Sequence, residues 1–171
     1  DQTISNTPSL YGILTAATGG IKTLAGNVTV TNTLNMSAGN INLNTYTLTL
    51  GNGAGATLTN GGSKICYGGT FKRYIPSGVV SSTVAPLYGL FPMGTFSDYR
   101  PVEINSVGGP VTPGYISAVH TDASGITDVA YSDNELDAIQ RITVLKSTLS
   151  ISGGFGGGAY NLDVTMTGLA A

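Results

Sequence analysis

Residues 25–60 read AGNVTVTNTLNMSAGNINLNTYTLTLGNGAGATLTN, and this stretch decides the fold. The dipeptide Gly-Asn recurs at Gly26-Asn27, Gly39-Asn40 and Gly51-Asn52, at spacings of 13 and 12 residues. Apolar and polar residues alternate after the first two: Val28 and Val30 in one unit, Ile41 and Leu43 in the next. A second alternating run sits inside each unit, Leu34 and Met36 in the first, Tyr46, Leu48 and Leu50 in the second. Period-two alternation marks a strand buried on one face. Gly and Asn tolerate positive φ, which makes them natural corner residues. A strand–corner–strand unit of fixed length cannot bury its own apolar face and must stack on a neighbour, so the pattern predicts a parallel β-solenoid. Repeats in such stacks run ~20–45 residues, so each unit here reads as about half a coil.

Composition agrees with that reading. Of 171 residues only 9% are charged, against ~25% in an ordinary soluble domain. Net charge is −2, and Lys and Arg together number seven, scattered along the chain. A nucleic-acid backbone needs clustered cations, so nucleic acid is excluded as a partner. No apolar run reaches the ~18 residues of a membrane-spanning helix. Cys66 is the sole cysteine and has no partner for an internal disulfide; a buried, unreactive thiol is the expectation. The chain begins at Asp1, as a processed or excised chain would.

Upstream of the repeats, Ile4, Leu10, Tyr11, Ile13 and Leu14 are broken by Pro8 and closed by Gly19-Gly20. Two readings fit: a strand capping the open end of the solenoid, or an arm completing a neighbour's sheet. Downstream, Thr59-Asn60-Gly61-Gly62 is another corner and Lys64-Ile65-Cys66-Tyr67 another short strand. The chain then changes character. Five of its seven prolines lie between Pro76 and Pro110, and proline punctuates strands at edges and turns. The expected fold is therefore all-β: a short parallel β-solenoid over residues 1–67, with its N-terminal capping or exchange arm, followed by a β-sandwich-like unit over residues 68–171.

In that second part three motifs follow in order. Lys72-Arg73-Tyr74-Ile75-Pro76-Ser77-Gly78 is a strand with a central Arg and a following Pro-x-Gly. Phe91-Pro92-Met93-Gly94-Thr95 comes next, then Tyr99-Arg100-Pro101-Val102. Together with the run from Ile41 to Gly51, this order resembles a module of large secreted and surface proteins of the Bacteroidota, which join β-helical repeats to a Phe-Pro-x-Gly-Thr unit. The resemblance implies export, in many such proteins by the type IX route, and an adhesin-like role outside the cell.

The last third is more polar. His120 stands alone, without a second His or a nearby Cys. Asp133, Glu135 and Asp137 are candidate ligands for a calcium ion, since hard cations take several oxygens. The EF-hand spacing is absent, and a simpler reading has Ser132 or Asp133 capping a short helix that runs to Arg141. No cofactor is otherwise expected. Tyr160, Leu162, Val164 and Met166 alternate with polar residues in a clear half-buried strand. Before it, Phe155 sits in a bed of glycines at 153–158, a candidate anchor for a partner. No nucleophile elbow, paired-His metal motif or phosphate loop occurs, so no enzyme is expected.

The functional expectation is a non-catalytic structural component of the bacterial cell surface, a self-assembling extracellular filament subunit. Its contacts would be Ile4, Leu10 and Tyr11 at one end and Leu162, Val164 and Met166 at the other, with another copy of the chain as partner. The other reading is a ligand- or glycan-binding module of a large secreted adhesin, using Tyr88, Tyr99 and Phe155 as exposed aromatic contacts.

Overall fold

The computed structural model describes residues 1–107, 112–121, 146–152 and 161–166. Strands and one 3-10 turn, Gly61–Ser63, make up their regular structure. The chain is all-β and opens with a β-solenoid of about four turns. Coil 1 holds β1 (Gln2–Ile4) and β2 (Leu10–Thr15); coil 2 holds β3 (Ile21–Leu24) and β4 (Val28–Asn35). Coil 3 holds β5 (Asn40–Asn42), β6 (Thr47–Leu50) and β7 (Thr57–Thr59); coil 4 holds β8 (Cys66–Tyr67) and β9 (Thr70–Ile75). The first strands of the coils stack as one parallel sheet in the order β1-β3-β5-β8. The second strands stack in parallel as β2-β4-β6-β9, with β7 beside β4. The first 15 residues thus form the first coil of their own chain.

Register explains the core. Ile4 lies against Leu24, Val28 against Leu48 and then Phe71, and Leu34 against Leu58. The alternation read in the sequence becomes columns of inward side chains, and Leu24, Val30, Leu34, Ile41, Leu48, Leu50 and Phe71 are fully buried. Each such side chain contributes ~1.5–3 kcal/mol of transfer free energy, set against the entropy of ordering the chain.

The corners work differently from the expectation. Of the three Gly-Asn dipeptides only the third has a glycine at positive φ, Gly51 at 95°. The first two act through their asparagine oxygens: Thr47 N donates to Asn27 Oδ1 at 2.9 Å, and Ile65 N to Asn40 Oδ1 at 3.1 Å. Each bond ties one coil to the next. Gly39 is there for space, since a Cβ on it would meet the carbonyl oxygens of Thr18 and Gly20 at 3.0 and 3.1 Å. Asn44 Nδ2 donates one coil back to the Leu24 carbonyl at 3.3 Å, and the amide–amide bond present is Asn60 to Asn35 at 2.8 Å.

At β9 the sheet changes direction. β9 pairs antiparallel with β12 (Gly114–Thr121), and β12 with β13 (Lys146–Ser152). A seven-stranded sheet, in the order β13-β12-β9-β6-β4-β2 with β7 beside β4, therefore runs on from the solenoid. β10 (Leu90–Phe91), β11 (Val102–Val107) and β14 (Asn161–Met166) form a separate antiparallel sheet. Phe71 of β9 and Phe91 of β10 meet edge to face, with ring centroids 6.0 Å apart. Residues 68–171 thus contribute to two sheets, one continuous with the solenoid; sandwich packing between them stays an expectation. Among the described residues no helix is long and apolar enough to cross a membrane.

Arg73 joins the two parts. It sits in the column of Val30 and Leu50, flanked by Phe71 and Ile75, and is fully buried. Its Nη1 donates to the carbonyls of Leu87 and Leu90, its Nη2 to those of Ala56 and Pro86. Its Cζ lies 5.8 Å from the centroid of the Tyr88 ring. Burial lowers the guanidinium's pKa from its ordinary value to about 9, with Tyr88 acting in the opposite direction; the group is charged at neutral pH.

Candidate functional site

Coil 1 has two strand edges that carry no further strand among the described residues. β1 pairs only with β3 and β2 only with β4, among the described residues. Each edge presents a row of backbone N–H and C=O groups of the kind that accepts a further strand. The side chains change accordingly. Tyr11 and Leu14 are half-buried, whereas their column neighbours Val30 and Leu34 are fully buried. Leu10 is 54% exposed and Ile13 64%. Ile4 is buried, and with Tyr11, Leu14 and Ala16 it lines a cavity of about 490 Å³. The Tyr11 hydroxyl donates to the Ser5 carbonyl at 2.6 Å, which holds the turn between β1 and β2.

Lys22 also lines this cavity and was not foreseen as a site residue. It is 4% exposed and shares the inward face of β3 with Leu24. Its column runs through Ile41 and Cys66. Its ammonium is held by the carbonyls of Thr18 at 2.9 Å and Gly19 at 3.1 Å. The sequence does carry a signal, the parity of Lys22 with Leu24. An inward-pointing charge beside an open edge is a known way of blunting it against indiscriminate pairing.

The other expected contact strand, β14, lies at the edge of its three-stranded sheet among the described strands. Leu162, Val164 and Met166 pair with Ser106, Ile104 and Val102, all three of which are buried.

The aromatic contacts sort differently. Tyr88 and Tyr99 were expected to be exposed, and both are half-buried. Tyr88 packs on the core beside Arg73 because its ring fills the space over Gly55. Tyr99 is drawn inward by its hydroxyl, which donates to the Gly61 carbonyl at 3.0 Å; burial, with Glu103 and Cys66 adding, raises its pKa to about 12. The exposed aromatic among the described residues is instead Phe96, at 62%. Phe155, Asp133, Glu135 and Asp137 lie outside the described residues.

Cys66 is fully buried with its Sγ 4.0 Å from Met36 Sδ, and burial raises its pKa. His120, inside β12, is buried, with Nε2 3.3 Å from Arg100 Nη1. Among the described residues no three His, Cys, Asp or Glu side chains gather as a metal site would require.

The fold defines the class: an all-β chain built on a β-solenoid of about four turns. No protein-family model, curated protein or solved structure matches the chain.

Proposed function

We propose that the chain is a non-catalytic structural component of the bacterial cell surface, a subunit that assembles into an extracellular filament through its terminal β-strands. The observation that carries this reading is coil 1, where two parallel edges without a further strand among the described residues flank a cavity of mixed polar and apolar lining, and Leu10 and Ile13 stand exposed. Solenoids need polar capping repeats to stay soluble as single stacks, and coil 1 leaves Leu10 and Ile13 exposed. A second copy supplies an edge strand in β14 or β13. A head-to-tail contact of this kind propagates as a fibre when its rotation does not close a ring. Lys22 restricts what the open end accepts, because an added strand must leave its ammonium bonded to carbonyl oxygens. The bacterial surface as location rests on the resemblance to the Bacteroidota modules.

The test is the solution mass of the purified chain across concentration, paired with negative-stain microscopy. Fibres of this single chain support the reading. A species that stays at 17.4 kDa at every concentration contradicts it.

A further inference from the structure

A second surface lies on the side of the coil stack. A groove of about 370 Å³ crosses coils 2 to 4. Its floor includes Ile21, Asn40 and Ile65, which occupy the same rung position on successive coils. Coils stacked at the strand spacing of ~4.8 Å make three rungs span ~10 Å. The turn at 94–99 adds Phe96, Ser97 and Tyr99.

That turn is held by its own bonds. Thr95 N donates to the Asp98 carbonyl at 3.0 Å, Thr95 Oγ1 to Asp98 Oδ2 at 2.9 Å, and Asp98 N back to Thr95 Oγ1 at 3.0 Å. Phe96 leans edge to face on Tyr67, with centroids 6.0 Å apart and planes at 84°. A large aromatic ring is thus fixed in solvent before any ligand arrives, which removes most of the ordering cost of binding.

The polar side chains around it are an amide and two hydroxyls beside one lysine. Asn40 uses its oxygen on Ile65 N, and no described residue takes its Nδ2. Ser63 and Ser97 add hydroxyls, and Lys64 is the sole formally charged side chain in the lining. Uncharged donors and acceptors beside one open aromatic face suit a ring that is apolar on its C–H face and carries hydroxyls at its rim. Slightly positive C–H groups pack on the negative face of the aromatic ring, and the rim hydroxyls exchange hydrogen bonds with the amide and the serines.

We infer that this groove is a binding site for a short stretch of a neutral, hexose-based polysaccharide, with Phe96 as the stacking platform and Asn40, Ser63 and Ser97 as hydroxyl partners. The site belongs to coils 2 to 4 and the 94–99 turn, whereas the assembly surface is coil 1, so the two stand independently.

The experiment is titration calorimetry of the full chain with soluble β-glucan, mannan and galactan oligosaccharides, repeated with Phe96→Ala and Phe96→Tyr. One of these glycans is expected to bind. Phe96→Ala should weaken it about tenfold, a loss that an aromatic stacking face supports, and Phe96→Tyr should retain it. Thermal midpoints of both variants should match the parent, because Phe96 is largely exposed. Absence of binding to all three glycans, or equal binding by Phe96→Ala, overturns the assignment.

Discussion

Arg73 and Leu90 are joined by a buried bond: Nη1 of the guanidinium donates to the Leu90 carbonyl at 3.0 Å, and Arg73 has no exposed surface. A planar cation with several fixed donors spans the solenoid interior and fastens the segment at 86–90 that leads into the second half of the chain. Lysine offers one compact ammonium and cannot reach the same set of carbonyls. Arg73→Lys and Arg73→Ala should both destabilise the fold. The alanine variant leaves the buried carbonyls of Ala56 and Leu90 without this donor, at ~1–3 kcal/mol each, a large share of a typical stability of ~5–15 kcal/mol. Urea unfolding of the three proteins measures this; a midpoint unchanged in Arg73→Ala would show that the clamp is dispensable.

Tyr99 links stability to alkaline pH. Its folded-state pKa is raised to about 12, chiefly by burial, from an ordinary value of 10.0. Below the unfolded-state value the phenol is protonated in both states and its contribution is fully present. Between the two values the unfolded chain gives up the proton and the folded chain keeps it, so stability falls as pH rises through this window. Partial exposure screens the effect and keeps it modest. Tyr99→Phe should flatten the fall in denaturation midpoint over this range. A parallel decline in both proteins would assign the effect to other tyrosines.

Cys66 should be silent in the native state. Its Sγ is enclosed beside Met36, and burial keeps the thiol protonated, while reaction needs an exposed thiolate. An aromatic disulfide reagent should label no thiol in the folded chain and one in denaturant. Rapid labelling of folded protein would mean that the stack opens between coils 3 and 4.

Ile13 tests the edge. It is exposed on β2, so Ile13→Lys should leave the unfolding midpoint within ~0.5 kcal/mol of the parent, as surface changes usually do. A lysine on an edge strand opposes pairing with another chain, so the variant should assemble less at equal concentration. Light scattering during concentration follows this. Assembly equal to that of the parent would move the contact away from β2.

The solenoid was legible because its cause is local. Val28, Val30, Leu34, Ile41, Leu48 and Leu50 alternate with Thr and Asn, and parity alone puts them inside. The same parity applied to Lys22 with Leu24, and to Arg73 between Phe71 and Ile75, places both cations inward. What hides this is the ordinary expectation that charge faces water. It fails here because backbone carbonyls converge on each group, those of the adjacent corner at Thr18 and Gly19 on Lys22 and those of the remote Ala56, Pro86, Leu87 and Leu90 on Arg73. Phe96 had no such signal: its exposure depends on a turn closed by Thr95 and Asp98 and on Tyr67 arriving from another coil. Tyr88 and Tyr99 were misjudged as exposed for the same reason, since Arg73, Gly55 and Gly61, which draw them in, are remote in sequence.

The central claim is that the open edges of coil 1 are where copies of the chain meet. Amide hydrogen exchange, read segment by segment at low and high protein concentration, tests it most directly. The account predicts that amides in Gln2–Ile4 and Leu10–Thr15 gain protection as concentration rises, while those of the enclosed strand Val28–Asn35 do not change. Exchange in β1 and β2 that is independent of concentration, while the solution mass grows, would contradict it.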